Sequence, residues 1–194
     1  MIGNMRLEKE VREKDLVRKA MMRLLKDHSP EQRAEKSRIV REKLLADEDF
    51  LRARTVMSYV SLPSEVDTAE MNREAIKRGK RILVPCICGA EGTIIAAELT
   101  SMDDLVRGSL GIYEPRDGRA KKVPLVEIDL VVVPALAFDA RNMRLGRGKG
   151  YYDRFLSEKD ISSARTIGLA YRFQIVETLP QDPHDRPVNR VLTD

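Results

Sequence analysis

Asp129-Leu130-Val131-Val132-Val133-Pro134 is the stretch that decides the fold. An unbroken aliphatic run of this length fits a central strand of a parallel sheet covered on both faces. Upstream, Thr55-Val56-Met57-Ser58-Tyr59-Val60 is β-rich and reads as another buried strand. Leu62-Pro63-Ser64-Glu65-Val66 follows as a loop. Asp67 is placed to cap a helix with Glu70 at its third position, and Gly79 to stop it. Arg81-Ile82-Leu83-Val84-Pro85 is then the next strand, and strand, helix, strand at this spacing is a βαβ unit.

Working outward, Glu91-Gly92 suits a hairpin turn with a strand over Thr93–Ala96 after it. Ser101 to Asp104 opens a short helix, Asp117-Gly118 marks a turn, and Thr166–Ala170 and Arg190–Leu192 are further strands. The N-terminal third has the helical period instead. Leu16, Val17, Ala20, Met21, Leu24 and Leu25 fall on one stripe. Ser29-Pro30-Glu31-Gln32 restarts a helix with a capping box, and Ile39, Val40, Leu44 and Leu45 form its apolar face. The expected architecture is a three-layer α/β/α sandwich with a mostly parallel central sheet. A single domain spans 1–194, with 1–54 as a helical extension packed on the α/β core.

Composition narrows the function. The 194 residues are 42% hydrophobic, enough for a sizeable core, and no apolar run approaches the roughly 20 residues of a membrane span. The first fifteen residues offer no apolar stretch for a secretory signal. Two cysteines make no disulfide framework, so a reducing, cytoplasmic home is expected. Residues 1–54 carry the whole net charge of +4, but with fifteen cations against eleven anions, which is mixed rather than a basic stripe. Aromatics at 5% with no Trp supply no stacking platform, so nucleic acid is a disfavoured partner. Cys86-x-Cys88 lacks two further ligands at suitable spacing for a zinc site and reads as a pair of reduced cysteines at a strand end. His184-Asp185 reads as a surface turn after Pro183.

The chemistry is concentrated in Phe138 to Phe155, directly after the strongest strand, where open α/β sheets bind ligands. Gly146, Gly148 and Gly150 alternate with Arg147 and Lys149. Glycines let backbone N–H groups approach an anion, and a following helix N-terminus favours negative charge. Arg141 to Arg154 hold five basic residues and one acid, the balance expected around a polyphosphate. Gly150 after Lys149 and Tyr at 151 exclude the Walker and dinucleotide patterns. Asp153 is the carboxylate available to Mg²⁺, which is commonly held by one or two carboxylates plus phosphates.

Arg-Leu-Gly-Arg-Gly-Lys-Gly-Tyr-Tyr-Asp over 144–153, preceded by Val-Pro-Ala-Leu-Ala-Phe-Asp, closely resembles the signature of the 5-formyltetrahydrofolate cyclo-ligase family. The resemblance extends to Ser64–Thr68, Gly111–Pro115 and Gln174–Pro180, and so covers the chain from about Lys14 onward. It implies an ATP- and Mg²⁺-dependent enzyme, a monomer acting on a small-molecule folate, that converts 5-formyltetrahydrofolate to 5,10-methenyltetrahydrofolate. Lys14 and Arg18 match the family's ATP-contacting pair. Arg144, Leu145, Gly146, Arg147, Gly148, Lys149, Gly150, Tyr151 and Tyr152 match its nucleotide loop. Of these, Arg147 through Tyr151 also match the folate-contacting part, together with Val60 and Glu65. Arg147, Lys149 and Tyr151 are the implied catalytic residues, and Asp153 and Asn189 the implied metal ligands. The chain departs from the pattern at Asn142, usually Gly, and at Asn189, often Asp. It also departs over 85–96, which lacks the usual Arg and aromatic. The competing reading is a non-catalytic paralogue that binds nucleotide or RNA through the Gly–basic loop.

Overall fold

Leu130 and Val132 point to one face of the central strand and Val131 and Val133 to the other, and all four are fully buried. The computed structural model of the chain describes residues 2–88, 92–108, 112–116, 121–182 and 184–194, with the backbone alone for 2–11. The helical N-terminal third comprises α1 (Ile2–Asp27), α2 (Pro30–Leu45) and α3 (Glu48–Arg52). Strand β1 (Thr55–Met57), α4 (Ala69–Lys77) and β2 (Arg81–Cys88) form the expected βαβ unit. The hairpin partner β3 (Thr93–Leu99) and a two-stranded ribbon, β4 (Leu105–Arg107) with β5 (Tyr113–Pro115), come next. The central strand is β6 (Leu130–Pro134), followed by a hairpin of β7 (Ala137–Asp139) and β8 (Arg144–Leu145). Helix α5 (Tyr151–Leu156), β9 (Arg165–Leu169), β10 (Ile175–Val176) and β11 (Arg190–Leu192) complete the described chain.

The six-stranded sheet has the order β11-β9-β6-β1-β2-β3, parallel throughout except for the β2–β3 edge hairpin. One face packs on α1, α2 and α4 through Leu25, Val40, Leu44 and Met71, and the other on α5 and a 3-10 turn through Phe155 and Ile161. Three layers result, as the continuous aliphatic strands require. From β1 the chain adds strands in one direction along the sheet, and from β6 in the other. The order reverses between β1 and β6, so a crevice opens there at their carboxyl ends.

Two sequence expectations for the helices are refined. Ser29 accepts from the Gln32 amide and Gln32 reaches back to the Ser29 amide, so the capping box forms, a device worth about 1 kcal/mol. The stripe of the first helix is narrower than its period suggests. Met21 and Leu25 are buried, but Leu16 is 66% exposed and Leu24 39%. Alpha1 meets the core along one ridge only, and the residue that extends this ridge towards its N-terminus is Lys14, which is buried. The expected Asp67 cap is displaced by one residue: α4 starts at Ala69, whose amide Asp67 still holds at 2.9 Å. Gly79 ends that helix with φ +76°. Beta2 and β3 each run three residues beyond the expected strands, because the hairpin register carries the pairing from Ile82–Leu99 to Cys88–Thr93. Glu91 and the Asp117-Gly118 turn lie outside the described residues.

Candidate functional site

The crevice between β1 and β6 is a real pocket of about 290 Å³. Its floor is the chain just after each strand, Tyr59 and Val60 on one side and Pro134 and Ala135 on the other. One wall is the edge hairpin through Pro85, Ile87 and Ile94. The opposite wall is the Gly–basic loop after β8. Of the residues singled out in the sequence, Val60, Glu65, Arg144, Gly146, Arg147, Lys149, Gly150, Tyr151, Tyr152 and Asp153 all border this space. Pro85, Ile87 and Ile94 of the diverged segment thus border the site and supply an apolar wall without an aromatic ring.

Local geometry explains why the loop takes this shape. The β7–β8 hairpin turns through Asn142 at φ +61°, so the family's glycine position does adopt the left-handed conformation that Asn tolerates. Chain returning along β8 delivers Arg144 and Leu145. The Leu145 side chain belongs to the core, and its carbonyl accepts from the Leu136 amide at 2.8 Å, so it anchors the loop rather than facing the pocket. Gly150 sits at φ +66° immediately before α5, and the Arg154 amide closes the first turn on its carbonyl at 3.1 Å. On the hairpin wall, a Cβ at Gly92 would lie 2.2 Å from the Tyr151 ring, so only glycine lets that ring lie against the turn. The Arg154 guanidinium lies over the same ring, 5.5 Å from its centroid, and donates to the Gly92 carbonyl at 3.4 Å. Sequence reasoning passed over Arg154 because its role depends on a hairpin 62 residues away.

Electrostatics divide the site in two. On the pocket side, Glu65 accepts from the Leu62 amide at 3.0 Å and from Arg147 Nε at 3.3 Å, while the other arm of Arg147 reaches the Ser64 hydroxyl at 3.1 Å. Burial pushes the Glu65 carboxyl above the ordinary carboxylate range, against the pull of the Leu62 amide and Arg147. Burial likewise raises the Tyr152 phenol, with the Glu65 charge adding to it. On the loop side, Arg144 donates to Asp153 at 2.7 Å, and Arg18 Nε donates to the Gly146 carbonyl at 3.1 Å. Lys14, one turn earlier on α1, is clamped between Asp182 at 2.7 Å and Asp185 at 2.6 Å. Burial alone would lower its pKa, but the hydrogen bonds and charges of those two carboxylates hold it above the ordinary lysine value.

Asp182 and Asp185 are neighbours of Lys14 that the sequence concealed. The expected surface turn at 184–185 carries a carboxylate that meets a lysine 171 residues away, and nothing local in the sequence signals that contact. Asn189, the second implied metal ligand, is held by hydrogen bonds of its own. Asn189 stands just before β11, where its side-chain oxygen accepts from the Thr166 amide at 2.7 Å and hydroxyl at 3.0 Å. Its backbone oxygen accepts from Asn142, at the tip of the β7–β8 hairpin, whereas the Gly–basic loop leaves from the hairpin's base. Among the described residues, three or more His, Cys, Asp or Glu side chains do not gather anywhere into a metal cluster, and Cys86 and Cys88 are not joined in a disulfide.

The loop fits a polyphosphate. Among the described residues the Lys149 ammonium has no hydrogen-bond or ion-pair partner, and the Tyr152 hydroxyl and Arg144 Nε are buried without one. A three-layer α/β protein with a basic glycine loop and a buried carboxylate facing each other across the switch point is a nucleotide-dependent small-molecule enzyme in design. The comparisons then narrow the class. The model of the 5-formyltetrahydrofolate cyclo-ligase family matches residues 10–194, and the chain belongs to that family. It is 30% identical over 166 residues to the 5-formyltetrahydrofolate cyclo-ligase of Escherichia coli, covering 85% of this chain and 91% of that one. The mouse 5-formyltetrahydrofolate cyclo-ligase is 29% identical over 184 residues, covering 91% of each chain. Among solved structures, 5,10-methenyltetrahydrofolate synthetase of Aquifex aeolicus superposes with a TM-score of 0.80 at 33% identity, covering 92% of this chain and 88% of that one.

Proposed function

We propose that this chain is an ATP-dependent ligase that closes 5-formyltetrahydrofolate to 5,10-methenyltetrahydrofolate, acting as a single-domain monomer in the cytoplasm. The observation that carries the reading is the meeting of Glu65 with the Arg147–Tyr151 loop across one apolar pocket. A formamide oxygen is a poor leaving group. Attack of that oxygen on the γ-phosphorus of ATP, with release of ADP, makes it one; N10 then attacks the activated formyl carbon and gives up its proton, and the C–O bond breaks to release phosphate carrying the formyl oxygen. Such a reaction asks the protein mainly to position two substrates and neutralise charge.

Each side chain has a task in that scheme. Glu65, buried and raised in pKa, accepts from the pterin N–H groups. Aliphatic contacts from Ile87 and Ile94 and the Tyr151 ring exclude water from the activated formyl group. Arg147 and Lys149 face the transferring phosphoryl group, and Lys14, Arg18 and Arg144 hold the remaining phosphates. Asp153 is the residue for Mg²⁺, which supplies charge neutralisation on the phosphate oxygens. Absorbance of 5,10-methenyltetrahydrofolate in the near ultraviolet tests the reading: purified protein with 5-formyltetrahydrofolate should generate it only with both ATP and Mg²⁺. Loss of that signal in Arg147→Ala is expected. Full turnover in Arg147→Ala would remove Arg147 from the mechanism, and ATP binding with no product from the wild-type chain would leave only the nucleotide-binding paralogue.

A further inference from the structure

A second cavity, of about 590 Å³, adjoins the first. The two share Val60, Leu62 and Glu65, the loop that follows β1. Its other walls come from elements the proposed reaction does not use. Alpha2 supplies Arg33 and Ser37, and the β4–β5 ribbon supplies Arg107 and Tyr113, which face each other in the ribbon's register. Arg33 is half-buried and spends one arm on the His28 carbonyl. Arg107 is exposed at the cavity's edge, and no described residue pairs with it. Two anions also border the space, but both are engaged. Glu65 is held by the Leu62 amide and Arg147, and Asp67 accepts from the Ser61 hydroxyl at 3.2 Å and the Ala69 amide at 2.9 Å.

A folate is long and chemically two-ended. Its reduced pterin is compact and carries N–H donors; its far end is an aminobenzoyl ring joined to one or more glutamates, each with free carboxylate. The first cavity, apolar and closed by Glu65, suits the pterin. The chain of Val60 and Leu62 between the cavities is apolar, as the benzoyl ring requires. We infer that the second cavity is the seat of the substrate's glutamate tail, with Arg33 and Arg107 as the residues that read its carboxylates and Tyr113 as the face beside the aminobenzoyl ring. This assignment rests on the folate reading above and gives it a specificity device: two guanidiniums carried on separate elements, suited to carboxylates at two places along a tail rather than to a single small anion.

The test compares 5-formyltetrahydrofolate, its triglutamate and 5-formyltetrahydropteroate, which lacks the tail, as substrates of the wild-type chain, Arg107→Gln and Arg33→Gln. The expected wild-type kcat/KM is at least tenfold higher for the glutamylated compounds than for the tail-less one, carried in KM. In Arg107→Gln that ratio should fall about tenfold, towards one, and Arg33→Gln should act in the same direction. Because Arg107 is exposed, its variant keeps the fold even if Arg33→Gln does not. A wild-type ratio near one overturns the inference and leaves the ligase reading standing. A rise in the KM for ATP, with no change for folate, overturns it by giving the cavity to the nucleotide. Should the wild-type chain turn over none of the three, the reaction itself is wrong. Calorimetric titration with p-aminobenzoyl-triglutamate then decides the cavity, with uptake by the wild type and about tenfold weaker uptake by Arg107→Gln supporting the assignment and equal uptake or none refuting it.

Discussion

Replacing Lys14 by Met separates two accounts of that residue. On a solvated helix face, Lys14 would touch only an incoming nucleotide, and Lys14→Met would raise the KM for ATP without changing stability. The structure buries it instead: the side chain is 8% exposed and its ammonium is bonded to Asp182 and Asp185 at 2.7 and 2.6 Å. Removing the cation leaves two carboxylates facing each other. Breaking one side of a fully buried pair costs about 3–5 kcal/mol. Asp185 retains the Asp182 amide at 2.8 Å, and the Asp182 side chain is 36% exposed and partly solvated, so about 2 kcal/mol is the appropriate figure here. For a chain of this length that corresponds to a fall in Tm of about 4–8 °C. Thermal unfolding at neutral pH measures it, and adding Asp182→Asn and Asp185→Asn should recover most of the loss by removing the stranded charges. The pH dependence has a definite sign. The folded-state pKa of Lys14 lies above its ordinary value of 10.5, so its contribution is complete below that value and disappears as pH rises through the folded pKa. The gap between wild type and Lys14→Met should therefore close in strong alkali. An unchanged Tm at pH 7, or a gap that widens with alkali, would refute the buried clamp.

Further outcomes follow from single residues. Glu65→Gln should abolish turnover while leaving the thermal midpoint unchanged or raised, since a carboxyl with a raised pKa opposes folding once ionised; a clear fall in Tm would contradict the burial cause. For the same reason folate KM in the wild type should rise as pH falls through the mildly acidic range, and a flat profile would deny that ionised Glu65 meets the pterin. Gly92→Ala places a methyl 2.2 Å from the Tyr151 ring at φ +69°, so kcat should drop at least tenfold, with about 1–2 kcal/mol lost in denaturant unfolding; wild-type turnover would show that the ring is not held there. Asn189→Ala should cost about 1 kcal/mol through its Thr166 bonds and leave the Mg²⁺ dependence of the reaction unchanged, and a weakened Mg²⁺ response would identify it as a metal ligand.

Much of the architecture is legible because it depends on local rules. The aliphatic run at 130–134, the capping box at Ser29 and the stop at Gly79 each follow from a few neighbouring residues. Legibility of the pocket side of the site has a similar cause. Chain leaving β1 and chain leaving β6 emerge at one edge because open α/β sheets place both there, and the β7–β8 hairpin that follows β6 keeps the Arg147 loop within reach of Glu65. What escaped depends on contacts that no local pattern encodes. Lys14 has the same helical spacing to Arg18 whether it is solvated or buried, and the two aspartates that decide the matter lie in a segment without secondary structure. The contact of Asn189 with Thr166 is equally silent in the sequence, because it depends on β11 pairing in parallel with β9.

The charge pattern around the loop carries a consequence for how a nucleotide enters. Arg144 faces Asp153, Lys14 faces Asp182 and Asp185, Arg18 bonds Asp15 at 2.6 Å, and Arg147 faces Glu65. Among the cations expected to hold ATP, Lys149 alone has no carboxylate partner among the described residues. A polyphosphate reaching this loop therefore exchanges partners rather than filling bare positive charge. Each guanidinium it takes releases a carboxylate that must be neutralised or rehydrated, which offsets much of the Coulomb gain. Asp153, freed from Arg144 at the mouth of the pocket, is the carboxylate that a divalent cation arriving with the phosphates would relieve. On the proposed reading, coupled exchange of this kind should make the nucleotide and the metal each strengthen the other's binding, and by linkage the coupling must be equal in both directions. Titrating ATP at several fixed Mg²⁺ concentrations measures one side and titrating Mg²⁺ at fixed ATP the other. With free and metal-bound ATP counted separately, Asp153→Asn should reduce both couplings by the same factor, and a variant that weakened one alone would show that Asp153 is not the shared element.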